Sequence, residues 1–182
     1  MNNRIAISLP DQTLSWLGSL KSAALGFLQR LKGVRAGFYH YSLSGDLLPE
    51  HLGWGLGNTV FAVKILYTLN QLKNIEPTER QGLIDFILEF EKEGGVISDP
   101  HIHKLDLPRV LNFVRRREIK ALITNSWRRE IERAETRQAV SALRLLETKP
   151  HAPFARIPRR EKELHTFLNS LNWKSPWGAG SH

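Results

Sequence analysis

Leu14, Leu17, Leu20, Ala24, Leu28 and Leu31 recur at near-helical spacing between Asp11 and Lys32, with Lys21, Gln29 and Arg30 on the other face. This pattern predicts an amphipathic helix whose apolar stripe packs on the rest of the domain; a basic helix lying on a membrane surface is the alternative. Lys21 interrupts the apolar part before a signal-peptide core could form, which points to a cytoplasmic protein. Gly33, Gly37, Gly45, Pro49, Gly53, Gly55 and Gly57 then punctuate a loop. A second helix is expected to start near Asn58 or Thr59 and to run through Phe61, Ile65, Leu66 and Leu69. Pro77-Thr78-Glu79 opens a third, with apolar Leu83, Ile84, Ile87, Leu88 and Phe90, and Gly94-Gly95 ends it.

Val96 to Pro108 reads as another loop. Neither Gly nor Pro occurs from Arg109 to Lys149, so two or three helices are expected there. Thr124-Asn125-Ser126 supplies capping side chains at one break, and a second break is expected near Glu135-Thr136. Pro150, Pro153 and Pro158 form a connector to a last helix over about Arg159 to Leu171. No segment sustains period-two alternation, so the predicted class is all-α.

The helices contain an internal similarity. Thr59-Val-Phe-Ala-Val-Lys-Ile-Leu-Tyr-Thr-Leu69 aligns without gaps on Thr136-Arg-Gln-Ala-Val-Ser-Ala-Leu-Arg-Leu-Leu146, an offset of 77 with five identities. Leu83 and Phe86 align with Leu164 and Phe167 at an offset of 81, and Trp54-Gly-Leu-Gly57 recurs as Trp177-Gly-Ala-Gly180. One helix type, then the other, then a Gly-rich loop is the order of a helical-hairpin repeat, at about 40 residues per hairpin.

That order resembles the α/α-toroid proteins, in particular the prenyltransferase and terpene-cyclase-like repeat superfamily. The resemblance is carried by Phe86-Ile-Leu-Glu-Phe-Glu-Lys-Glu-Gly-Gly-Val96, similar to an outer helix entering a Gly-rich turn, by Glu135-Thr-Arg-Gln138, and by the two Trp-Gly-x-Gly motifs. It covers residues 38–182 and leaves 1–37 as an N-terminal amphipathic helix and linker. It implies inner helices around a cavity, with loops at one end lining a site for an elongated apolar (isoprenoid-type) or glycan-type ligand. Glu135 and Arg137 would then face the cavity end, although an ion pair explains them equally well. The Asp-rich acid motif of the cyclases is missing, and the Cys through which the thiol prenyltransferases hold zinc has no counterpart, so neither activity carries over. Toroids of this type need five or six hairpins and this chain has about three. The expectation is an incomplete ring, a truncated piece or a subunit completed by another chain, with self-association through its open edges.

Charge adds a second picture. The 182 residues carry a net charge of +8, and Arg109–Arg160 alone holds 14 Lys or Arg against 5 Asp or Glu. Acidic residues interleave with the basic ones, as on a solvated helix face. The same region could hold an acidic protein, an anionic membrane surface or nucleic acid; the lack of interleaved Gly and aromatic residues or zinc-finger spacing argues against nucleic acid. The absence of Cys excludes a disulfide scaffold and a thiol nucleophile, and no Walker loop, Gly-x-Ser-x-Gly elbow or dinucleotide fingerprint occurs.

Two loops carry candidate chemistry. Asp46 and His51 supply the carboxylate and imidazole that acid–base catalysis requires, with His40, Trp54 and Asn58 as ligand-binding neighbours. The alternative is an irregular loop pinned by aromatic packing and Asx turns. Asp99, His101 and His103 could form part of a divalent-metal shell, or the histidines could simply be solvated. Two functions stay open: an incomplete toroid acting on an isoprenoid-type or glycan-type ligand, and a noncatalytic helical module binding through 109–160.

Overall fold

A computed structural model describes residues 10–101, 115, 126–155 and 158–170. The described part is mostly helical. Helix α1 spans Asp11–Leu31, α2 Leu56–Thr68 and α3 Pro77–Leu88. After α3 comes a short antiparallel ladder of β1 (Glu91–Lys92) and β2 (Val96–Ile97), then α4 (Ser126–Leu145) and α5 (Glu161–Ser170). The all-α expectation is therefore corrected at one place. Two-residue strands are too short to leave an alternating signature, and left-handed Gly94 and Gly95 turn the chain between them.

Helix boundaries follow local chemistry. Gly55, at φ +96°, caps α2, so the helix begins at Leu56, before the polar Asn58 and Thr59. Pro77 occupies the first turn of α3, as its missing N–H permits. The expected break at Glu135-Thr136 does not occur; α4 runs through it. α2 and α4 end alike. Asn70 and Glu147 adopt positive φ of 54° and 59°, and the N–H of Gln71 and of Thr148 closes onto the carbonyl of Leu66 (2.8 Å) and of Leu143 (2.9 Å).

α2, α3 and α4 pack around one core. Val60, Val63 and Leu66 from α2 meet Leu83, Phe86 and Ile87 from α3 and Ala139, Leu143 and Leu146 from α4. The last turn of α1 joins them through Leu28 and Leu31, whereas Leu14, Trp16, Leu17 and Leu20 of its earlier turns are exposed. Phe38 fixes the Gly-rich loop to this core, edge-on to Trp54 at 5.8 Å and to Phe86 at 5.9 Å. Gly37 lies so close to α3 that a Cβ there would stand 2.2 Å from the Gly82 carbonyl oxygen. Among the described residues no helix is long and apolar enough to cross a membrane.

Candidate functional site

The Gly-rich loop brings Asp46 to His40. The His40 Nδ1 lies 2.6 Å from Asp46 Oδ2, and the other carboxylate oxygen accepts the Tyr41 N–H at 2.8 Å. The pair is half-buried, beside the exposed Tyr41. His51 lies apart from this pairing as an exposed residue in the 3-10 turn Glu50–Leu52. Trp54, read as a ligand platform, is buried against Phe38 with its indole Nε1 unpartnered. Asn58 donates to the Tyr39 carbonyl at 3.0 Å, and the neighbouring Thr59 hydroxyl donates to Gly37 O at 2.7 Å. Burial, reinforced by Glu79, pushes the Tyr39 phenol above its ordinary range.

Asp99 joins two loops and a helix. Its Oδ2 accepts the Gly55 N–H that opens α2 (2.8 Å), and its Oδ1 accepts the His101 N–H (2.8 Å). The Asp99 N–H in turn donates to Glu135 Oε2 at 3.0 Å. His101 donates from Nε2 to the Leu52 carbonyl at 2.7 Å, leaving a buried Nδ1 without a partner. Asp99 and His101, proposed as metal ligands, thus serve as backbone clasps, and His103 lies outside the described residues. No group of three or more potential ligands that could hold a metal occurs among the described residues.

Glu135 belongs to the same junction. Burial raises its pKa from 4.5 to about 7; the charges of Asp99 and Glu132 push the same way, against the Asp99 N–H bond and Lys92. Thr136, one residue on, accepts the Ile97 N–H (3.0 Å) and lies 3.1 Å from the Ile97 carbonyl oxygen, so α4 completes the edge of β2. Glu135 and Arg137 are two positions apart on one helix and face different surroundings. Glu135 turns to the Asp99 loop, and Arg137 lines a groove.

That groove is a concavity of about 980 Å³ between α4, the proline-containing connector and α5. Arg133, Arg137, Arg144 and Lys149 supply positive charge, and Val140, Leu145, Phe154 and Phe167 supply apolar wall. Its described lining holds no carboxylate. The connector wall is anchored from below. Glu91 accepts the His151 and Ala152 N–H groups at 3.0 and 2.7 Å and bonds the His151 ring at 2.9 Å. Burial opposes ionisation of Glu91, but the Ala152 and His151 N–H bonds, the His151 ring bond and its charge together hold its pKa below the ordinary value. The charge count located the basic region but not the groove. The signal for it was present in Arg133, Arg137 and Arg144, whose spacing of four and seven places them on one helix face.

No family model, curated protein or solved structure matches this chain.

Proposed function

We propose that the chain is a noncatalytic helical-hairpin module, toroid-like in organisation, that binds an acidic protein partner through the groove of α4, the connector and α5. The observation that carries the reading is the lining: four cationic side chains around an apolar floor, with no carboxylate among the described residues. The hairpin part is supported by α2 and α4, which share buried Thr, Ala and Leu positions and the same left-handed terminal cap 77 residues apart. A labelled Glu-rich peptide should bind the full chain and weaken steeply as salt rises from about 0.05 to 0.5 M. Salt-insensitive binding, or none, would contradict the reading.

A second reading is favoured by the apolar walls and by the His40–Asp46 pair beside Tyr41: an elongated isoprenoid-type ligand in the groove, or a glycan-type ligand at the loop. A neutral glycan or isoprenoid alcohol would bind with little salt dependence, which separates the two readings.

A further inference from the structure

We infer that the acidic partner enters the groove as an amphipathic helix, in the pose that α4 takes on α2 and α3. This deepens the binding reading above and rests on it. α4 sits on a seat made by α2 and α3, where Lys64 of α2 bonds Gln138 and Arg80 of α3 pairs with Glu147 at 3.3 Å. Moving along the chain by 77 residues carries Val60, Val63 and Lys64 of that seat onto Arg137, Val140 and Ser141 of α4. Moving by 81 carries Phe86 of α3 onto Phe167 of α5. All four counterparts line the groove. Val60, Val63 and Phe86 are buried in the core. On α4 the matching Arg137 and Ser141 are exposed and Val140 is half-buried.

The second seat repeats part of the apolar pattern of the first, Val63 and Phe86 corresponding to Val140 and Phe167, but it carries a different charge. Val60 and Tyr67 of α2 correspond to Arg137 and Arg144 of α4, and Lys149 continues the positive rim. A helix occupying it must therefore offer an apolar stripe flanked by Asp or Glu. α1 of a second copy has an exposed apolar stripe, but it carries Lys21 and Arg30 against a single acid, Asp11, so its charge does not suit the rim.

The test uses the full chain and a fluorescein-labelled 20-residue peptide with the sequence of α4, its Arg residues replaced by Glu. A scrambled peptide of the same composition, which has the charge but no apolar face, is the control. The ordered peptide should bind at least about tenfold more tightly than the scrambled one. Arg144→Glu with Lys149→Glu should weaken it by about tenfold or more with an unchanged melt, because both side chains are exposed. A photo-crosslinker at the middle of the peptide should label α4 or α5, a readout that needs no variant; labelling of residues 40–51 would overturn the inference. Equal binding of both peptides would overturn the helical pose and leave the acidic-partner reading standing. If neither binds, or if only a single-stranded oligonucleotide does, both fall. Self-association of the chain abolished by Leu17→Glu would assign the groove to a second copy and likewise overturn the inference.

Discussion

Thr59 and Thr136, 77 residues apart, each bind the backbone of a preceding segment through a buried hydroxyl: Thr59 donates to Gly37 O in the Gly-rich loop, and Thr136 accepts the Ile97 N–H of β2. Each bond ties a helix to a distant backbone segment that comes before it in the chain. Valine keeps the shape of threonine and removes the hydroxyl. Thr136→Val orphans a buried N–H, which natural structures rarely leave unpaired, and should cost about 1–3 kcal/mol. Thr59→Val removes a donor from a carbonyl and should cost less, about 1 kcal/mol. Thermal melts check this, and Thr→Ser at each site should recover most of the loss.

Gly37 and Gly53 separate two costs of a side chain at positive φ. Both are left-handed, at +80° and +65°, but a Cβ at Gly53 meets open space while one at Gly37 collides with Gly82 O and Phe86. Gly53→Ala should cost about 1–2 kcal/mol from backbone conformation alone. Gly37→Ala must also push the loop off α3, so it should be the more destabilising by at least about 2 kcal/mol in urea unfolding. Equal midpoints for the two variants would contradict the close approach.

Glu135 makes stability depend on pH. Its pKa in the folded chain, about 7, lies above the ordinary 4.5, so the folded state holds the proton more tightly than the unfolded one. Its contribution is therefore complete below about pH 4.5 and lost as pH rises through about 7. Asp99 and Glu132 face the group as anions and Lys92 as a cation, and the Asp99 N–H bond survives in either state. Glu135→Gln keeps an acceptor for that N–H and never ionises. It should match the parent at pH 4 and exceed its stability at pH 8 by on the order of 1–3 kcal/mol.

Much of the fold was legible because helices leave long periodic signals. Asp11 to Lys32 and Pro77 onward correspond to observed helix boundaries within a residue or so. The end of α3 was not legible. Leu88 to Gly94 reads as helix from its apolar residues, but Glu91 and Lys92 are drawn into a ladder with Ile97 and Val96, and that preference is set by pairing rather than by propensity. At the candidate sites the sequence shows residue types but not which groups they meet. Asp46 and His51 looked like a pair because they are near in sequence, yet the Ser42–Gly45 bridge folds Asp46 back onto His40. Asp99 carried no mark that its partner would be the N–H of Gly55, 44 residues away. The groove as a whole leaves no mark in the sequence because its walls come from α4, the connector and α5 together.

The most direct measurement is an amide NMR titration of the full chain with the acidic, α4-derived peptide at low salt. The account predicts shifts concentrated at Arg133, Arg137, Ser141, Arg144 and Lys149, saturating only at higher peptide concentration in Arg144→Glu. Shifts centred on His40, Asp46 and His51, or scattered over every basic surface without saturation, would contradict it.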